Sequence, residues 1–197
     1  MNTNELNKPE IKETVLLEQP VPNLISKLDK IEIQFEMKFD ISEQNKILEE
    51  VKNGERKLEN SQEKGNYGEM RTDQDLKEKG YDRISLDRVT DLNSVGHQGI
   101  DGVYYKEGGE PEYIIVDSKY GSAQLSETAD GKQMSEKWID NRLDNAVGKE
   151  KADEIRMEKL VNSGNVGSFV AHVSEDGIVT YERLDSNGDV KERNVQL

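Results

Sequence analysis

Residues Glu112–Gly121 read E-Y-I-I-V-D-S-K-Y-G, and this stretch constrains the fold more than any other. Ile114, Ile115 and Val116 form a β-branched run of the kind buried inside a sheet. Asp117 and Lys119 then follow at alternate positions, so both project from one face of the same strand. An acid and an amine on a core strand are costly unless something pairs with them. Upstream, Gly99–Tyr105 (G-I-D-G-V-Y-Y) reads as a second strand carrying one acid, Asp101. The segment between them, Glu107-Gly108-Gly109-Glu110-Pro111, is turn-forming, which predicts an antiparallel hairpin. With the turn centred near Gly109, Asp101 and Asp117 lie equally far on either side. They are then expected to face each other across the ladder, with Cβ atoms roughly 4.5–5.5 Å apart. Two carboxylates that close repel, and a divalent cation relieves the repulsion. Lys119 would flank the same ion.

The rest of the chain supplies the frame for this hairpin. Residues 1–29 are polar, hold Pro9, Pro20 and Pro22, and read as a tail or linker. Residues 30–64 read as a strand-helix leader segment: alternation from Lys30 to Ile41, then a capping box at Asp40 and Glu43 opening a helix to about Leu58. Asn60–Lys64 reads as linker, and residues 65–197 as the main domain. Gly65–Gly80 is expected to be helical, Tyr81–Val89 a strand, and Ser122–Gly131 a loop. Lys132–Val147 has a helical apolar stripe including Trp138 and Leu143, stopped by Gly148. A charged helix follows over Lys149–Ser163. Ser168–Val173, Ile178–Leu184 and Val190–Val195 alternate as strands around turns at Glu175-Asp176-Gly177 and Asn187-Gly188. This order predicts an α/β (α+β) fold, a mixed sheet flanked by helices, with a strand-helix extension at the N-terminal side.

Composition narrows the chemistry. The chain lacks cysteine, which removes disulfides and thiolate metal sites. It contains no apolar stretch of membrane-spanning length and no signal peptide is read in it. Its net charge of −14 argues against nonspecific adhesion to polyanions, so any basic strip must be local, with Lys119, Lys132, Lys137 and Arg142 as candidates. His97 reads as a loop histidine, His172 as structural, and Trp138 as a core anchor.

Asp101 in G-I-D-G-V-Y, with the triplet Asp117-Ser118-Lys119, resembles the PD-(D/E)XK nuclease superfamily, the restriction-endonuclease-like fold. Gly68-Glu69 on the preceding helix matches the additional glutamate of many members, and Gln133 stands where several lineages place a further polar active-site residue. More narrowly, I-V-D-S-K-Y-G-S-A-Q-L followed by G-K-Q-M-S-E-K-W-I resembles the C-terminal nuclease toxin domains of bacterial polymorphic and contact-dependent inhibition toxins. The likeness covers about Gly65–Gly148. Two departures are visible: Ile100 rather than proline precedes Asp101, and the triplet opens with Asp rather than Glu.

The resemblance implies a metal-dependent endonuclease that hydrolyses phosphodiester bonds, with DNA the first substrate and tRNA the second. It implies catalytic roles for Glu69, Asp101, Asp117, Lys119 and Gln133. The metal, Mg²⁺ first and Mn²⁺ or Zn²⁺ next, would be held by Asp101, Asp117, the Ser118 backbone carbonyl and Glu69. It also implies delivery as part of a larger secreted toxin, action in the target-cell cytoplasm, and a cognate immunity protein as partner. Two other readings stand beside this one. An acidic binding protein (antitoxin, immunity protein or nucleic-acid mimic) suits the charge, and a housekeeping repair nuclease would share the active site.

Overall fold

The structure is a computed structural model that describes residues 41–96 and 99–197. The strand expected before Ile41, and His97, lie outside the described residues. The main sheet has six strands: β1 (Asp82–Arg83), β2 (Gly102–Tyr105), β3 (Tyr113–Tyr120), β6 (Val166–Val173), β7 (Val179–Leu184) and β8 (Val190–Arg193), in that spatial order. A small ribbon pairs β4 (Glu127–Thr128) with β5 (Gly131–Lys132). The helices are α1 (residues 41–52), α2 (Ser61–Glu78), α3 (Glu136–Val147) and α4 (Lys149–Val161). All neighbouring pairs of the main sheet are antiparallel except β3 and β6. A parallel pair needs a long crossover, and here β4, β5, α3 and α4 supply it. This is the mixed sheet flanked by helices that the element order predicts.

Both faces of β3 are covered, which is why its sequence reads as an unbroken apolar run before Asp117. Tyr113 and Ile115 face Trp138, Ile139 and Leu143 of α3 and Ile155 of α4. Ile114 and Val116 face the opposite way, onto Leu76 of α2 with Phe169, Ala171 and Tyr181. A third cluster joins Ile47 and Leu48 of α1 to Tyr67 and Met70 of α2 and Val173 of β6. Helix α1 therefore packs on α2 as an added layer. Among the described residues no helix is long and apolar enough to cross a membrane.

Several local expectations are corrected. Asn60 is not linker: its side chain accepts from the Glu63 backbone N–H and caps α2, so the helix starts at Ser61. The strand expected over Tyr81–Val89 shrinks to Asp82–Arg83: the Ile84 and Ser85 N–H groups both turn onto the Val103 carbonyl, the Leu86 N–H leaves for the Ala146 carbonyl, and the Leu86 side chain is 70% exposed. Helix α1 stops near residue 52 rather than Leu58, where Gly54 turns the chain with φ +74°. The loop expected at Ser122–Gly131 contains β4. Helix α3 begins at Glu136 rather than Lys132, because Lys132 pairs in the ribbon and Met134 has φ +66°.

Candidate active site

The β2–β3 register places the two central acids. Its pairs run Tyr105↔Tyr113, Tyr104↔Ile114, Val103↔Ile115 and Gly102↔Val116, so the next step sets Asp101 opposite Asp117. Asp101 itself lies just outside β2. There its side chain takes over from the ending strand: the Ser118 backbone N–H donates to Asp101 Oδ2 at 2.7 Å. Asp117 and Lys119 stay within β3 and share the face that Ile115 presents to α3. The register expected of the hairpin therefore holds.

Asp117 is fully buried. Lys119 Nζ lies 2.7 Å from its Oδ2, and Gln133 Nε2 donates to its Oδ1. Gln133 Oε1 in turn accepts from Lys119 Nζ at 3.2 Å and from the Ser126 backbone N–H at 3.2 Å. Asp117, Lys119 and Gln133 thus form a closed triangle of polar contacts. Gln133 reaches it from the turn between β5 and α3, not from the start of a helix as its sequence context predicts. The Asn187-Gly188 turn backs this segment. Gly188 has φ +75°, and a Cβ there would stand 2.8 Å from the Gln133 carbonyl oxygen.

Glu69 on α2 lines the same cleft as Asp101, Asp117, Lys119 and Gln133, an open space of about 610 Å³. All five residues singled out for catalysis are therefore brought together. The carboxyl of Asp101 is pushed well above the ordinary aspartate range, first by burial and then by the charges of Asp117 and Glu69. Asp117 is raised as well, again chiefly by burial, against the opposing pull of Lys119.

The sequence reading missed one contributor, Arg83. Its side chain is nearly buried, and its Nη2 donates to the Asp101 backbone carbonyl at 2.7 Å. Its Nη1 donates to the Tyr104 hydroxyl at 2.8 Å and lies 3.4 Å from Asp73 Oδ1. No local pattern marks Arg83, because its partners come from α2, β2 and the segment before β2. His172 also matches its structural reading: its Nε2 lies 3.2 Å from Glu182 Oε2. Trp138 is buried, as expected of a core anchor.

The donor set that faces the cleft is all oxygen, which suits a hard divalent cation. Asp101 fits such an ion because burial and the charges of Asp117 and Glu69 hold it toward its neutral form, and Asp117 because burial does so against the pull of Lys119; a cation removes that penalty. Among the described residues no three His, Asp or Glu side chains form a ready metal cluster. Lys119 here supplies the positive charge beside Asp117.

These shifts predict how stability depends on pH. A carboxyl whose pKa is raised by folding binds protons more tightly in the folded state than in the unfolded one. Between the ordinary aspartate value and the raised value the unfolded state holds fewer protons, so stability falls as pH rises through that window. Thermal unfolding of the metal-free protein is expected to show this fall, and substituting Asn at both Asp101 and Asp117 should flatten it. Persistence of the same slope in the double variant would place the titrating groups elsewhere.

Compared with family models, with curated proteins and with solved structures, the chain gives no match.

Proposed function

We propose that the protein is a metal-dependent nuclease that hydrolyses phosphodiester bonds. The observation that carries this reading is the register of β2 on β3, which sets Asp101 opposite Asp117 with Lys119 on the same face of the sheet. A bound Mg²⁺ or Mn²⁺ would polarise the scissile phosphate and stabilise its developing charge. Asp101, Asp117 and the Ser118 carbonyl would hold it, with Glu69 beside them. Lys119 is an ammonium with three donors, two of them engaged by Asp117 and Gln133. The third serves to orient the attacking water or a phosphate oxygen. Gln133 keeps Lys119 and Asp117 at their separation, which makes it a positioning residue. The likeness of I-V-D-S-K-Y-G and G-K-Q-M to toxin nucleases extends the proposal to interbacterial competition, with an immunity protein as partner.

The test uses the purified 197-residue chain with plasmid DNA and with tRNA. Cleavage of one of them in Mg²⁺, abolished by EDTA and restored by excess Mg²⁺, is the expected result. Cleavage that persists undiminished in EDTA would remove the metal from the account. The net charge of −14 favours the alternative of an acidic binding protein. Capture of a basic protein partner, with neither nucleic acid cut, would decide for it.

A further inference from the structure

The four basic residues considered for substrate contact part company in the fold. Lys132 Nζ is held at 2.6 Å by Asp189 Oδ1. Lys137 lines a different cavity, bounded by α3 and α4. Lys119 and Arg142 line the cleft that contains Asp101 and Asp117. An acidic protein that binds a polyanion must concentrate its attraction at few points, because phosphate contacts normally supply most of the affinity.

Arg142 is built for such a contact. Its guanidinium lies 4.3 Å from the centre of the Trp138 ring, and Nη1 also donates to the Trp138 carbonyl at 3.1 Å. The indole face and the two oxygens bonded to Nη1 hold the guanidinium in place, and a guanidinium held in place suits recognition of phosphate. Nη1 is occupied by Asp130 Oδ2 at 2.7 Å. Asp130 stands at the turn between β4 and β5, and both side chains of the pair are partly exposed. Its carboxylate offers oxygens at the place a phosphate would take.

We infer that Arg142 binds a phosphodiester of the nucleic-acid strand in the cleft, and that Asp130 occupies the guanidinium until the substrate displaces it. The inference rests on the nuclease reading. It differs from a purely structural role, in which the Arg142–Asp130 pair merely pins the β4–β5 ribbon to α3. A pin loses its function equally when either partner is removed. A phosphate site with a resident competitor responds in opposite directions to the two changes.

The experiment measures equilibrium binding of fluorescein-labelled DNA duplex, and separately of RNA of the same sequence, over a range of salt concentrations. The full chain carries Asp117→Asn throughout, so that the probe survives. Arg142→Met is expected to weaken binding on the order of tenfold at low salt and to lower the salt slope by about one. Asp130→Asn is expected to tighten binding, and this gain should vanish when Arg142→Met is also present, which separates competition for Arg142 from a general change in charge. Equal weakening by Arg142→Met and Asp130→Asn, or a slope indifferent to Arg142→Met, overturns the inference in favour of the pin. A gain from Asp130→Asn that survives in the double variant overturns it too, and so does absence of binding to either probe. The nuclease reading is tested apart from this one, by whether the protein without substitutions cuts either nucleic acid.

Discussion

An Asp117→Ala protein is expected to lose phosphodiester cleavage by at least about a thousandfold, while remaining folded. The magnitude follows from the several kcal/mol a metal contributes to a charged transition state, at about 1.4 kcal/mol for each factor of ten. Asp117 is central to two arrangements at once. It faces Asp101 across the hairpin, and it binds both Lys119 and Gln133. Removing it would therefore deprive the proposed cation of a ligand, and it deprives Lys119 of its anchor. The fold should tolerate the loss, because Lys119 is 15% exposed and keeps Gln133 Oε1 as an acceptor, so its charge is less stranded than one fully enclosed. Parallel expression of the two proteins in bacteria, scoring growth and then nucleoid and tRNA integrity, extends the measurement to the toxin reading. Undiminished cleavage by the purified variant would end the nuclease assignment.

Asp73→Ala should give the largest loss of stability, about 3–5 kcal/mol, because it leaves buried cations without their partner. Asp73 on α2 is nearly buried and accepts from the Tyr104 hydroxyl at 3.0 Å and from Gln44 Nε2 at 3.2 Å. Arg88 Nε lies 3.2 Å from its Oδ2, and Arg83 Nη1 lies 3.4 Å from its Oδ1. The carboxylate thus ties α1, α2, β1 and β2 together. Its removal takes the carboxylate from Arg83, whose side chain is only 5% exposed, and leaves that charge with neutral acceptors, the Tyr104 hydroxyl and the Asp87 and Asp101 carbonyls. Urea unfolding should show a lower midpoint at unchanged slope, with the melting temperature down on the order of 10 °C. Because Arg83 also holds the Asp101 carbonyl, the proposed nuclease activity should fall with stability. A loss of about 1 kcal/mol or less would mean that water reaches these arginines and that the network matters little.

The two networks differ in how far they can be read from the chain. Asp101 and Asp117 were legible because a hairpin's register follows from its turn, and turn residues such as Gly108-Gly109 announce themselves locally. Lys119 followed from strand alternation. Glu69 and Gln133 came only through resemblance. The loop position of Gln133 and its contacts depend on Met134 adopting a positive φ and on the Gly188 turn pressing from β7–β8. Arg83 and Asp73 gave no signal, since a charged residue near a short edge strand or on a helix reads as solvent-facing. The same holds for Asn60, where a cap looked like linker.

Local pattern, then, decided the longer strands, the hairpin and its facing aspartates, because side-chain alternation and turn chemistry act over a few residues. The burial of Asp117, the Gln133 brace, the Arg83 clamp and the sorting of Lys132, Lys137 and Arg142 came from tertiary structure alone. Each depends on elements distant in the chain meeting around β3, and a charge declares its partner only once the chain has folded around it.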